Sequence, residues 1–373
     1  MPGVAAFVRG WFSEPAPTFE MRGPSARWGA PATHQSRRSL RVVAVIDETP
    51  TARTFVLEPT GTAAPLSYRA GQHLTLLVDI DGMTHRRCYS FSSSPASQQR
   101  PAITVRRMPE GVVSRHLHDR VHVGDTLVAA APAGSFTLAT DPHASRDVVF
   151  IAGGVGITPL ISLAETLLRE EPLSRAVLLC GNRAESEIIF RSRIAALEVQ
   201  FAPRLAVQHA LDTPPAGWRG LAGALDGARA LQALGTARAD ACYVCGPEAM
   251  MQSVCAALAA AGHERRRIRT ERFAYASATA THVPDHSAEI TFAASGRRVT
   301  ATPGQTILQA GLEAGLDLPF SCTMGGCGAC KVRKTSGEVV MSEPNCLGEL
   351  EREAGYVLAC CSYADTNVTI ENH

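Results

Sequence analysis

The strongest constraint on this chain lies near its C-terminus, where Cys322, Cys327 and Cys330 follow C-x4-C-x2-C and 29 residues separate Cys330 from Cys360. Four thiolates at this spacing suit a [2Fe–2S] cluster. A loop wrapped around such a core must bring backbone N–H groups up to the bridging sulfides, which leaves little room for side chains. Gly325, Gly326, Gly328 and Ala329 supply that room. A zinc site is the competing reading, but zinc ribbons pair two C-x2-C knuckles and only one is present. Cys361 competes with Cys360 for the fourth position. In an extended run from Tyr356 to Cys361 neighbouring side chains point to opposite faces, so only one of the two should reach the cluster. Spacing selects Cys360 and leaves Cys361 and Cys346 as plain thiols.

At roughly 100–200 residues per domain, the 373 residues make two or three domains. A net charge of +1 gives no whole-chain attraction to phosphate backbones, so nucleic-acid binding is not expected. The longest uncharged apolar-leaning run, Val148 to Ala164, is broken by glycines and Pro159 and falls short of the roughly 20 residues a membrane span needs. Met1 to Val8 carries Pro2 and Gly3 with no basic segment ahead of it, unlike a secretory signal. A cytoplasmic protein is therefore expected, its 11 cysteines being thiols or ligands and not a disulfide framework. Lys331 and Lys334 are the only lysines, an arginine bias that fits a GC-rich bacterial genome.

Residues 1–37 are rich in proline, contain Trp11 and Trp28, and read as a poorly structured extension. From Leu40 short β-rich runs follow (Leu40–Ile46, Arg53–Leu57, His73–Val78, Arg87–Ser92, Ala102–Arg106), separated by turn signals such as Asp81-Gly82, which suggests an antiparallel barrel. After Pro142 strands alternate with helices: Val148–Ala152 then Thr158–Arg169, Ala176–Cys180 then Ser186–Leu197, Ala241–Val244 then Glu248–Ala261. That rhythm predicts a parallel sheet with crossover helices. A polar linker at 276–287 precedes a last segment that opens as a hairpin around Ser295-Gly296 and carries a short helix at Thr306–Ala314.

Arg87-Cys88-Tyr89-Ser90 ends a predicted strand, and Gly111-Val112-Val113-Ser114 begins 21 residues beyond Ser90, just ahead of a short helical pattern. A flavin needs an arginine for its phosphate, an aromatic for its ring face, a small donor near N5 and helix-start N–H groups for a pyrophosphate. These two motifs can fill all four roles; the competing reading of R-x-Y-S alone is a surface strand with an exposed arginine. Gly153-Gly154-Val155-Gly156-Ile157-Thr158-Pro159 follows a strand and opens a helix, which places a pyrophosphate on backbone N–H groups. Cys245-Gly246-Pro247 again lies at the carboxyl end of a strand, where open α/β sheets bind ligands.

Taken in order, R-x-Y-S, G-x-x-S, G-G-x-G-I-T-P, C-G-P and C-x4-C-x2-C…C resemble the ferredoxin–NADP reductase superfamily, and within it the three-domain oxygenase reductases with a plant-type ferredoxin at the C-terminal end. The resemblance covers about Leu40 to His373. It implies a multidomain fold: an antiparallel β-barrel FAD domain (38–141), an α/β parallel-sheet NAD(P) domain (142–275), the linker, and an α+β, β-grasp-like ferredoxin domain (288–373). It implies that Arg87 binds flavin phosphate, Tyr89 packs on the isoalloxazine and Ser90 lies near N5. Gly111, Val112, Val113 and Ser114 imply FAD over FMN, because that turn holds a pyrophosphate that FMN lacks. Gly153, Gly154, Gly156 and Thr158 fall at the nicotinamide nucleotide, with Cys245, Gly246 and Pro247 beside the nicotinamide. Glu271-Arg272-Phe273 matches the closing segment near the flavin, so Ser90, Cys245 and Phe273 are the residues expected at the reacting rings.

Nicotinamide gives up two electrons as hydride and an iron–sulfur cluster accepts one at a time, so a flavin must stand between them. The expected path is NAD(P)H to FAD to [2Fe–2S] to a terminal oxygenase of Rieske or di-iron type. A non-oxygenase acceptor (hybrid-cluster protein, globin or desaturase) and a redox-sensing module are the alternatives. No general base is assigned, and His116, His118 and His122 are read as solvated or structural. Arg183 fits a 2′-phosphate and Glu185 or Glu187 a ribose hydroxyl, so the nucleotide stays open with NADH preferred.

Overall fold

The structure, a computed structural model, describes residues 37–61, 65–235, 238–273, 282–343 and 345–371. The expected extension, apart from Arg37, and the linker up to residue 281 lie outside the described residues.

The first unit is an antiparallel sheet of β1 (Arg38–Thr49), β2 (Ala52–Pro59), β3 (His73–Ile80), β4 (Met83–Ser90), β5 (Ala102–Arg106) and β6 (Thr126–Ala129), in the order β4-β3-β6-β1-β2-β5. A bridge between Phe91 and Ile103 joins the two edge strands and closes the sheet into a barrel. Asp81 and Gly82 turn β3 into β4 with φ of +50° and +77°, the double left-handed geometry that two-residue hairpins require. Leu40, Phe55, Leu57, Leu74, Leu76 and Ile103 fill the interior. α1 (Val112–Arg120) follows β5.

The second unit is a parallel sheet of β7 (Asp147–Gly153), β8 (Arg175–Asn182), β9 (Leu205–Leu211), β10 (Leu221–Ala222), β11 (Ala241–Cys245) and β12 (Ile268–Glu271), ordered β10-β9-β8-β7-β11-β12. Every residue of β7 is buried, as expected of a central parallel strand covered on both faces. The crossover helices are α2 (Ile157–Glu170), α3 (Arg191–Gln200), α4 (Gly227–Leu234) and α5 (Glu248–Ala260). The helix expected from Ser186 starts only at Arg191: residues 185–187 make one 3-10 turn, and Phe190 caps α3 with φ +62°. The chain order reverses at β7, flanked by β8 and β11, and such a reversal opens a crevice at the carboxyl ends of the strands.

The third unit contains β13 (Ala288–Phe292), β14 (Arg297–Ala301), β15 (Lys331–Ser336), β16 (Val339–Met341), β17 (Tyr356–Leu358), β18 (Ser362–Ala364) and β19 (Val368–Glu371). A mixed sheet runs β14-β13-β19-β15-β17, with β16 paired to β18. α6 (Ile307–Glu313) starts in a capping box between Thr306 and Gln309 and buries Ile307 and Leu308; α7 (Glu349–Glu353) is a single short turn. The run Tyr356–Cys361 is not extended throughout, contrary to the sequence reading. β17 stops at Leu358 and residues 359–361 form a 3-10 turn, so strand alternation does not separate Cys360 from Cys361. No described helix is long and apolar enough to cross a membrane.

Candidate functional site

Parallel pairing puts three residues side by side at the crevice: Cys245 is in register with Ala152 of β7 on one side and with Glu271 of β12 on the other. The loop after β7 fits tightly against the loop after β11. A Cβ on Gly156 would run into the Cys245 carbonyl, and one on Gly246 would come within 2.9 Å of Gly153 Cα. Gly153, Gly154, Gly156, Cys245, Gly246 and Pro247 are thus brought together. Thr158 is buried and its hydroxyl donates to the Val155 carbonyl (3.0 Å), so this side chain ties down the start of α2. Arg183 is exposed after β8, whereas Glu185 pairs with Arg191 and Glu187 lies 3.9 Å from Arg106. Arg106, at the end of β5, reaches from the barrel to within 3.5 Å of where a Cβ of Gly154 would sit. No sequence motif marked Arg106.

Across this crevice stands the end of β4. Ser90 Oγ donates to Glu271 Oε2 at 3.3 Å and joins the barrel to the parallel sheet. Burial pushes the Glu271 carboxyl up to about 8, offset in part by that hydrogen bond, and burial beside Glu271 also raises the Cys245 thiol. Tyr89 pairs with Leu74 and lies against the barrel core, and Phe273 packs on the core of the parallel-sheet unit. α1 opens at Gly111 with no side-chain cap and no acidic residue in its first turn, while Val112 is exposed and Val113 buried. Those N–H groups are free for an anion. Ser114 Oγ does not cap them; it accepts from Met108 N (3.1 Å) and shapes the turn. A flavin fits this donor set, with uncapped N–H groups at one end and Ser90 at the other. His118 is structural, its Nε2 bonded to the Val105 carbonyl, and His122 is exposed beside Asp125.

The cysteine loop packs on the same β3–β4 hairpin, next to Cys88. Thr323, Gly325 and Gly328 adopt φ of +57°, +73° and +69°, which turns backbone N–H groups inward. Met324 N donates to Cys322 Sγ (3.4 Å), Cys322 N to Cys327 Sγ (3.4 Å) and Gly325 N to Cys360 Sγ (3.2 Å). Cys330 shares a hydrogen bond with Cys360, and the bonds donated to Cys360 by Cys330, Cys361 and Gly325 pull its thiol down to about 5. A set of four thiols lined by N–H donors fits a [2Fe–2S] cluster. Cys361 Sγ lies beside this set, hydrogen-bonded to Cys360 and 2.9 Å from where a Cβ of Gly325 would sit. Cys346 lies close by, its N–H donating to the Gly325 carbonyl. The loop rests on the barrel: Ser321 Oγ meets Thr75 Oγ1 at 2.5 Å, Arg87 donates to Met324 Sδ at 3.1 Å, and Arg86 lies over the Phe320 ring.

Fold and site together define an oxidoreductase built to hold a nicotinamide nucleotide, FAD and a [2Fe–2S] cluster. Family models match in that arrangement: an oxidoreductase FAD-binding domain over residues 39–138, an oxidoreductase NAD-binding domain over 150–256 and a 2Fe-2S iron-sulfur cluster binding domain over 290–365. The chain belongs to the ferredoxin–NADP reductase superfamily, in its three-domain reductase form. The glycine betaine monooxygenase reductase subunit of Pseudomonas aeruginosa is 32% identical over 360 residues, 90% of this chain and 95% of that protein. A component of the 1,2-phenylacetyl-CoA epoxidase of Escherichia coli is 33% identical over 339 residues, 86% of this chain and 93% of that protein. Among solved structures, phthalate dioxygenase reductase shares the fold (TM-score 0.57, 22% identity), with 90% of this chain and 98% of that chain covered. An intact type IV self-sufficient cytochrome P450 monooxygenase superposes with TM-score 0.65 and 26% identity, covering 90% of this chain and 41% of that chain.

Proposed function

We propose that this chain is the cytoplasmic reductase component of an oxygenase system, passing electrons from NAD(P)H through FAD and a [2Fe–2S] cluster to a separate terminal oxygenase of Rieske or di-iron type. The observation that carries the reading is that one hairpin, β3–β4, touches both sites: Ser90 meets Glu271 at the nucleotide crevice, and Thr75 meets Ser321 of the cysteine loop. When bound, the flavin supplies the conversion of a two-electron hydride into single electrons for the cluster. The monooxygenase and epoxidase partnerships in the names of the relatives support the acceptor class.

In this reading Arg87 and the start of α1, Gly111 to Ser114, hold the flavin phosphates, and Tyr89 covers the ring. Ser90, Cys245 and Phe273 line the place where nicotinamide and flavin meet. Gly153, Gly154 and Gly156 admit the nucleotide diphosphate, Thr158 fixes that loop, and Gly246 and Pro247 complete the nicotinamide side. Arg183 reaches the ribose end of the nucleotide. Cys322, Cys327, Cys330 and Cys360 ligate the cluster. Three functional domains, 38–141, 142–275 and 288–373, follow from the same reading, supported by the extents of the family matches. The last domain holds 10 acidic and 6 basic residues, which favours a basic acceptor surface.

Anaerobic stopped-flow mixing with NADH or NADPH, followed by candidate oxygenases across a salt series, tests the assignment. Flavin reduction followed by cluster reduction, then oxidation by an oxygenase at a rate that falls with salt, is the expected result. Oxidation only by a globin, a hybrid-cluster protein or a desaturase would reject the acceptor class, and failure to turn over with any acceptor would favour a sensor.

A further inference from the structure

The face of the β3–β4 hairpin turned to the cysteine loop carries polar side chains that neither flavin nor nucleotide binding uses. His73 pairs with Ser90 and Thr75 with Cys88, so alternation puts His73, Thr75 and Cys88 on one face. Thr75 Oγ1 lies 3.0 Å from Cys88 Sγ as well as against Ser321. Cys88 shares hydrogen bonds with Cys322 and Cys327. A ring nitrogen of His73, Cys88 Sγ and Cys327 Sγ all lie within 4.8 Å of one another. His73 Nε2 is nevertheless buried without a hydrogen-bond partner. With its proton on Nε2, this imidazole is a donor that needs an acceptor, and cluster-bound ligand sulfur is one.

We propose that His73 and Cys88, residues of the flavin barrel, are positioning residues that donate hydrogen bonds to the cluster-ligand sulfurs of Cys322 and Cys327 across the domain boundary, and so raise the reduction potential of the cluster while the two domains are in contact. The proposal rests on the reading of those cysteines as cluster ligands. A reduced cluster carries one more negative charge than an oxidised one, so a donor to its sulfurs stabilises the reduced form more. The donors belong to the domain that delivers the electron, so the cluster accepts most readily where the flavin can reach it.

The test is redox titration of full-length holoprotein, with the cluster followed by EPR and the flavin by visible absorption, in wild type, Cys88→Ala, Cys88→Ser, His73→Leu and His73→Gln. Cys88→Ala and His73→Leu are each expected to keep the cluster and to shift the one-electron equilibrium between flavin and cluster about tenfold toward the flavin, equivalent to ~59 mV. Cys88→Ser and His73→Gln, which retain a donor, are expected to stay within about twofold of wild type. An unchanged cluster potential in both Cys88→Ala and His73→Leu, or equal shifts in the alanine and serine variants, would overturn the proposal. Should His73→Leu fail to fold, the Cys88 pair decides the matter alone. Wild-type protein without iron and labile sulfide would overturn the cluster reading itself, a different result from a cluster whose potential does not move.

Discussion

Glu271 shows how a single side chain ties pH to stability in this protein. Its carboxyl is raised to about 8 by burial against an ordinary value of 4.5. Between those values the unfolded chain has lost a proton that the native chain keeps, so native stability falls as pH rises through the window. Glu271→Gln removes that slope: the drop in melting temperature from pH 5 to pH 8 should be smaller in the variant than in wild type, as differential scanning calorimetry would show. Cys360 and Cys361 offer a second residue-scale contrast. Cys360 Sγ accepts the Gly325 N–H and faces Cys330, while Cys361 donates to Cys360 from beside Gly325. Cys360→Ser is expected to abolish the visible spectrum of the cluster and Cys361→Ser to keep it; the reverse would reassign the ligand. Spacing in the sequence indicated Cys360, but strand alternation does not select it, because a 3-10 turn replaces the expected strand end. His73 and Cys88 carried no signal at all, since their meaning depends on a contact between residues about 250 apart in the chain, as in the Thr75–Ser321 pair.

Among the elements, the β7–α2 turn depends most on bare backbone. Gly156→Ala would drive a methyl group into the Cys245 carbonyl and the Gly246 amide, forcing the two loops of the crevice apart. We expect this variant to raise KM for the nicotinamide nucleotide about tenfold, ~1.4 kcal/mol, with FAD content unchanged. Steady-state kinetics with ferricyanide as acceptor measures it. Strong period-2 and strand–helix patterns made β1 to β5, β7, β8, β11 and the helices α2 and α5 legible from sequence. β9 and α4 were missed, and so were several elements whose pattern is short or weak. β6 has 4 residues and β10 has 2, and both are held by neighbours on the sheet. β12 reads Ile-Arg-Thr-Glu, half-buried throughout, yet it places Glu271 beside Cys245.

For the whole molecule, four cores carry the three units, two of them on the opposite faces of the parallel sheet, and residues of the barrel such as Ala52 and Phe136 join one of those two. The barrel and the nucleotide unit are further tied by Ser94 to Thr166 (2.6 Å) and by Arg193 to the Ser92 carbonyl (2.7 Å). The C-terminal unit has a core of its own, which includes Cys330 and Cys360. Cys327→Ser is therefore expected to remove the cluster while nucleotide-driven ferricyanide reduction through the flavin persists at no less than about half the wild-type rate. Loss of flavin reduction along with the cluster would show that the units do not work separately. The loop of Ser321 to Gly328 is also the face by which the C-terminal unit rests on the barrel, through Thr75, Cys88 and Arg87. A protein that seeks the cluster through that loop competes with the barrel for one berth, so filling and emptying must take turns. Turnover should then rise with acceptor concentration, reach a maximum and decline, because a crowd of acceptors keeps the loop away from its own source of electrons.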